Sequence, residues 1–252
     1  MYLALVLLGL VPSFAWLVFY LQEDIHPEPR RLIFFTFLAG AAVTLVAFAA
    51  QIAFKAGAEF LAVPSRSPAA LFGLAAIEEL FKFGAAYFVV ARSRAFDEPI
   101  DAMIYLIVAA LGFAAVENIG ALDMTRDTFL AESASDIVSA SAGAPQGVAL
   151  ASRIFETTTL RFIGATLLHA LSSAIVGFYW AKGILRGRTP QFLVAGILIA
   201  TGLHTIFNYF ILRFEDVIYA TLFLVVIAFF VLNDFEKLKR AASATNNQLT
   251  NN

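Results

Sequence analysis

A chain of 252 residues that is 60% hydrophobic and 14% charged, with a mean hydropathy of +0.81, lies far from the soluble average of about a quarter charged residues and has the composition of an integral membrane protein. Its formal net charge of -2, with Lys and Arg gathered in short loops, gives no polybasic face and argues against a nucleic-acid partner. The absence of Cys excludes disulfides, thiol nucleophiles and thiolate metal sites, so any metal must be held by Glu, Asp, His or Asn.

Seven apolar runs approach the roughly 20 residues that a bilayer-spanning helix needs: Tyr2 to Leu21, Leu32 to Phe54, Ala69 to Ala91, Ile100 to Ala121, Leu160 to Ala181, Phe192 to Leu212 and Val217 to Leu232. The pattern predicts an all-α, polytopic transmembrane helical bundle of about seven spans, forming one domain over 1–232 and embedded in the lipid bilayer. The first run starts without a basic segment and continues past Ser13-Phe14-Ala15, which predicts a retained helix rather than a signal peptide. Arg30, Arg31, Arg92, Arg94, Lys182, Arg186, Arg188, Lys237, Lys239 and Arg240 fall on one side of such a bundle. By the positive-inside rule that side is cytoplasmic, so the expected topology is N-out and C-in. Residues 123–159 then form an extracytoplasmic loop with a Ser/Ala/Gly-rich middle and turn signals at Gly143, Pro145 and Gly147. It is expected to be a mobile linker, with a lid or substrate-contacting segment as the alternative. The polar stretch 233–252 is expected to be a short cytoplasmic tail, partly disordered.

The third run is an energetic misfit, because Glu78, Glu79 and Lys82 interrupt it near its middle. A central charge costs roughly 2.5 to 3.5 kcal/mol on insertion scales, so the trio costs on the order of 8 to 10 kcal/mol unless partners offset it. Lys82 lies four residues from Glu78 and three from Glu79, and can neutralise one of them on a shared helical face. A pair that merely locked helix packing would need one carboxylate, so the second is in excess.

Polar residues on the later runs are the available partners. Phe113 and Glu117 are four apart on the fourth run, with Asn118 beside the acid; Glu117 by itself could simply reach the headgroups. The fifth run carries His169, followed by Ser172 and Ser173, which suit interhelical hydrogen bonding. On the sixth, His204 and Asn208 share a face and suit a metal or an oxyanion equally. At the helical rise, Glu78, Glu79 and His169 lie roughly 14 Å from the outer end of their runs, His204 roughly 12 Å and Glu117 roughly 6 Å. A buried layer of acids and imidazoles with an Asn is the raw material for activating water. Its formal charge, with neutral His, calls for protons on carboxylates or a divalent cation.

The ordered set Glu78-Glu79-x-x-Lys82, Phe113-x-x-x-Glu117-Asn118, His169 and His204-x-x-x-Asn208 on successive helices resembles the PrsW family of intramembrane proteases, itself related to the type II CAAX prenyl endopeptidases and bacteriocin-processing proteins. The resemblance covers roughly residues 30 to 212. It implies an endopeptidase in a bacterial or archaeal cytoplasmic membrane that cuts a single-pass membrane protein, typically an anti-sigma factor. Carried over by position, Glu78, Glu79, Glu117, His169 and His204 are the catalytic candidates, with Glu78 the favoured base. Lys82, Phe113, Asn118 and Asn208 are supporting residues, Asn208 as an oxyanion donor. The family's classification among metalloproteases implies Zn2+, for which Glu117, His169 and His204 are the candidate ligands, whereas its prenyl-protease relatives suggest glutamate-activated water without a metal; both remain open. There is no HExxH motif. Glu117 stands where CAAX proteases usually carry His, which ranks a CAAX-type activity lower.

Two other classes compete with the protease reading. A proton- or divalent-cation-coupled transporter would also use intramembrane carboxylates, but no internal repeat or broken helix accompanies them here. A non-catalytic, immunity-type membrane protein would keep the polar layer for packing alone.

Overall fold

The computed structural model describes residues 2–24, 26–136, 146–214 and 217–250, with the side chains of 133–136, 146 and 242–250 outside the description. Among the described residues it contains eight helices and no strand: α1 (Tyr2–Leu21), α2 (Arg30–Phe60), α3 (Pro68–Val90), α4 (Asp101–Asp136), α5 (Gln146–Ile163), α6 (Ala165–Leu185), α7 (Thr189–Arg213) and α8 (Ile218–Thr250).

Among the described residues, six helical stretches are long and apolar enough to cross a membrane, one of them running from Gly147 through α6 to Leu185. α3, at 23 residues, has the length but carries the three charges of the third run. Those charges are turned inward: Glu78, Glu79 and Lys82 are 8%, 1% and 0% exposed. The misfit with lipid is thereby avoided by packing rather than by snorkelling. Ser67 starts α3 by accepting a 3.2 Å hydrogen bond from the Ala70 amide, and Pro68 follows at the first helical position, where its missing N–H costs nothing.

α4 and α6 form the centre. Ile100, the segment from Ala102 to Leu111, and the segment from Leu167 to Val176 are buried on every face, as expected of helices apolar all round. α1, α2, α3, α5 and α6 pack against α4, while α7 packs on α3 and α6. The outer helices present large apolar side chains such as Leu7, Phe48, Leu198 and Phe230 outward, where lipid replaces a protein partner. The α2–α4 crossing depends on glycine: a Cβ on Gly40 would lie 1.9 Å from the Ala109 carbonyl oxygen, and one on Gly112 would lie 2.0 Å from that of Phe37. Between α6 and α7, Gly187 takes a φ of 62°. The amides of Gly187 and Arg188 turn back to the carbonyls of Ile184 and Gly183, closing a Schellman cap.

Two stretches expected to be loop and tail are largely helical. The loop expected at 123–159 is mostly helical: α4 continues to Asp136, and α5 starts at Gln146, with Gly147 inside its first turn. Gly143 and Pro145 lie outside the described residues. Local pairing and packing sustain the α4 extension where composition suggested a linker. Arg126 bonds Asp123 at 2.8 Å and Asp127 at 2.6 Å, its guanidinium covers the Tyr2 ring at 4.4 Å, and Leu122 and Phe129 are buried. The expected tail boundary at 233 likewise falls within α8, which runs on to Thr250. Leu224, Ile227, Val231, Phe235 and Leu238 keep a buried stripe at helical spacing past the end of the apolar run, so the core and not the hydropathy sets that helix length.

A second polar knot closes the end of the bundle where α1 turns into α2. Asp24 accepts the amides of His26 (3.1 Å) and Glu28 (3.2 Å), Asp101 accepts those of Asp97 (2.9 Å) and Glu98 (2.8 Å), and the Tyr105 hydroxyl donates to Glu28. Loss of hydration is the main force pushing the Glu28 carboxyl up to about 8; the Tyr105 hydrogen bond opposes it, and the neighbouring Asp101 and Asp24 charges add to it. The folded state therefore holds a proton that the unfolded chain, with its ordinary value of 4.5, releases. The stability this contributes is full below the unfolded value and is lost as pH rises through the folded one. Glu28→Gln should flatten that loss, measured as the thermal midpoint of the detergent-solubilised protein at pH values between about 5 and 8; an unchanged pH slope would contradict it.

Candidate active site

α3, α4, α6 and α7 bring their polar residues to one buried cluster. Glu79 is its anchor, because three groups converge on its Oε1: Lys82 Nζ at 2.6 Å, Ser172 Oγ at 2.9 Å and His204 Nδ1 at 2.8 Å. Glu79 and Lys82 are both fully buried at the side chain, so their attraction is little screened.

The hydrogen bonds fix both imidazoles. An ammonium has nothing to accept with, so Nδ1 of His169, 3.1 Å from Lys82 Nζ, is the acceptor. Nε2 then carries the hydrogen and donates it to Glu117 Oε2 at 2.8 Å. On His204 the assignment reverses: Nδ1 donates to the Glu79 carboxylate, leaving the Nε2 lone pair facing Glu78 Oε2 at 3.5 Å. His169 Nδ1 lies 3.9 Å from the same oxygen. The two rings are 5.3 Å apart and edge-on, and Phe113 lies 5.5 Å from the ring of His169 and 5.7 Å from Lys82 Nζ.

Glu78 differs from its neighbour. Its Oε1 accepts from a single donor, Gln51 Nε2 at 2.7 Å, and its Oε2, which like that of Glu79 is buried without a hydrogen-bond partner among the described residues, faces the two imidazoles. Two acceptors, Oε2 of Glu78 and Nε2 of His204, thus face each other in a buried site, an arrangement that calls for a proton, a water or a cation between them.

Three residues complete the cluster that the sequence reading had not placed there. Arg161, at the end of α5, donates through its NH2 to Glu117 Oε2 at 3.1 Å and through Nε to Asn118 Oδ1. Asn118 in turn donates to Thr166 Oγ1 at 3.0 Å and to the Gly9 carbonyl at 3.2 Å, tying α1 to the site. Gln51 and Ser172 are the other two; a lone Gln inside an apolar run was a signal available in the sequence, while Arg161 stood at the edge of the fifth run, beside the expected loop, as an ordinary flanking charge. With Arg161 included, three carboxylates face two cations, and the residual negative charge falls to Glu78. Asn208 lies one turn beyond His204 on α7, half-buried, and its side chain has no hydrogen bond among the described residues.

The donor set matches a catalytic zinc site in kind. Glu78, His169 and His204 each offer one ligand atom, and these atoms lie within 4.8 Å of one another; with Nε2 on Glu117, His169 would ligate through Nδ1 once Lys82 releases that lone pair. One carboxylate with two imidazoles is a known three-ligand set for catalytic Zn2+, and the orphaned Glu78 Oε2 is an atom such an ion would satisfy. Glu117 belongs behind this group, on the far nitrogen of His169, as Glu79 lies behind His204; carboxylates in those places orient a ligating imidazole.

These features agree with comparisons to known proteins. The model of the PrsW family intramembrane metalloprotease matches residues 28–233. A protein named Protease PrsW from Geobacillus kaustophilus is 29% identical over 214 residues, covering 84% of this chain and 81% of the relative. Another Protease PrsW, from Oceanobacillus iheyensis, is 26% identical over 239 residues, or 94% and 95% of the two chains. A third, from Halalkalibacterium halodurans, is 24% identical over 202 residues, or 79% and 80%. No solved structure matches the chain. The family match covers most of the chain, including every helix that supplies the polar cluster, and the chain therefore belongs to the PrsW family of intramembrane metalloproteases.

Proposed function

We propose that this protease hydrolyses a peptide bond in a single-pass, membrane-anchored protein of the anti-sigma-factor kind, with Glu78 as the base that takes a proton from water. The observation that carries the assignment is the asymmetry of the adjacent glutamates. Both keep a buried Oε2 without a hydrogen bond among the described residues, but Glu79 is tied down through Oε1 by Lys82, Ser172 and His204, while Glu78 Oε2 lies 3.5 Å and 3.9 Å from ring nitrogens of His204 and His169. A committed carboxylate can orient; an uncommitted one can accept a proton.

The remaining roles follow from the contacts. Glu79 holds the His204 tautomer that turns Nε2 toward Glu78, and Lys82 and Glu117 together hold that of His169. Lys82 also places a fixed positive charge beside the reacting carbonyl, where negative charge develops. Asn208, with its amide uncommitted, is the available oxyanion donor one turn from His204. Glu78, His169 and His204 are the residues that would hold the family's metal, Glu78 then serving as ligand in place of base, and the ion would supply Lewis-acid activation of water and carbonyl. With the N-terminus outside, as the Lys and Arg distribution favours, Glu117 and Arg161 lie toward the outer leaflet of a bacterial or archaeal cytoplasmic membrane.

New N-termini of single-pass proteins, mapped in cells carrying either the native chain or the Glu78→Ala/Glu79→Ala pair, test this reading. Fragments present only with the native chain are expected; identical termini in both would refute it. Arg161 acts at one remove, as a positioning residue for Glu117. Arg161→Ala should lower kcat roughly 10- to 100-fold at unchanged thermal midpoint, as loss of an outer partner of a ligating His does elsewhere. Arg161→Lys, which keeps the charge but not the fork reaching Asn118, should recover part of the loss; equal kcat in all three proteins would remove Arg161 from the mechanism.

A further inference from the structure

The outer ends of α4 and α5 enclose a groove of about 720 Å³. Its walls carry Met124, Thr125 and Thr128 from α4 and Arg153, Thr157 and Arg161 from α5. It differs in kind from the grooves between α1 and α2 and between α2 and α3. The latter is lined by Val43, Val46, Leu80, Phe81 and Phe88 among other apolar residues, with charged and hydroxyl side chains (Lys55, Glu59, Ser65) only in a separate hollow where α2 ends and α3 begins, while the former carries charge only at one end. The α4–α5 groove mixes hydroxyl and charged side chains, Glu156 among them, with apolar surface, and it ends on the cluster: Arg161 is a wall residue here and a donor to Glu117, which is 2.8 Å from His169.

A peptide bond ready for hydrolysis cannot be inside a regular helix, because its carbonyl must be open to attack. Unwinding exposes N–H and C=O groups that lipid cannot satisfy, so an unwound segment needs a polar wall. Threonine hydroxyls and guanidinium groups supply donors and acceptors of that kind. Thr125 and Thr157 lie 3.2 Å apart across the groove, Thr125 also donating to the Ala121 carbonyl, and the exposed Arg153–Glu132 pair at 2.8 Å links the two helices.

Resting on the protease reading above, we propose that the α4–α5 groove seats the extended segment of the membrane-anchored substrate next to the scissile bond, delivering it past Arg161 to the buried glutamate. The occupant is a polypeptide in extended conformation, not an acyl chain or a packed helix.

The test uses the full-length chain with Glu78→Gln, which stalls turnover, and a photo-crosslinking amino acid at Met124, 72% exposed in the groove wall, or at Phe230, 57% exposed on α8 as a control. The probe is an epitope-tagged single-pass protein identified by the N-terminus mapping. Crosslinks to that protein within a few residues of its cleavage site, several-fold stronger from Met124 than from Phe230, are expected. Equal or absent crosslinks, or crosslinks from Met124 to lipid or to a second copy of this chain alone, would overturn the groove while leaving the protease reading intact. If mapping yields no cleaved protein, both fall together. A kinetic arm reads the same site: Thr128→Trp, which fills the groove far from the glutamates, should raise KM about tenfold with kcat unchanged. An unaltered KM counts against the proposal.

Discussion

Glu78→Gln is expected to abolish cleavage while the protein stays folded and inserted. The carboxamide has the size of the carboxylate and keeps an oxygen for the 2.7 Å bond from Gln51, so the packing of α3 on α2 is preserved. It cannot take a proton from water, and it removes the residual negative charge that makes the site attract a proton or a cation. Loss of a positioned general base costs roughly 10² to 10⁴ in rate, which single-turnover cleavage of a purified substrate measures directly. The thermal midpoint in detergent should move little. Elemental analysis separates the two uses of the residue: a ligand role lowers bound metal in the variant, and a base role leaves it unchanged. Cleavage retained within a few-fold would shift the base assignment away from Glu78.

Lys82→Met is expected to strike the fold instead. Lys82 is 0% exposed and bonds Glu79 at 2.6 Å while donating to His169 at 3.1 Å. Removing the cation leaves a buried carboxylate with only Ser172 and His204 as donors, in surroundings that cannot hydrate it. Breaking a buried pair from one side costs about 3 to 5 kcal/mol, a large part of the stability of a typical domain. Glu79→Gln in the same chain should return most of that, since it removes the stranded charge along with its partner. Unfolding of the single and double variants in mixed micelles measures both steps. If the single variant is as stable as the native chain, the pair is not the electrostatic anchor that its geometry describes. Activity should stay low in the double variant even where stability returns, because His169 and His204 lose the groups that fix their tautomers.

Hydropathy alone marked the helical membrane architecture, because a run of some 20 apolar residues has few other stable homes. It also marked the members of the cluster, since charges and imidazoles inside such runs are costly enough to demand a function. Glu78, Glu79, Lys82, Glu117, His169 and His204 were found in that way, and the structure brings all six together. Hydropathy was blind where burial is set by neighbours. The extensions of α4 and α8 are held by Arg126 stacking on Tyr2 and by Phe235 and Leu238 in the core, contacts that no local window contains.

The sequence by itself determined that one of two adjacent glutamates would be held by Lys82 and the other left over, because spacing of three and four residues permits either pairing and one cation neutralises only one acid. Only the tertiary structure decided which. The choice rests on α6 and α7, whose Ser172 and His204 add two more donors to Glu79, and on α2, whose Gln51 turns Glu78 toward the imidazoles. The same is true of Arg161: its charge was visible in the chain, but the bend at Gly164 between α5 and α6 and the reach of a guanidinium across to α4 make it a partner of Glu117. Charges in a spanning helix are legible from composition, whereas their division of labour depends on which atoms of other helices come within hydrogen-bonding distance.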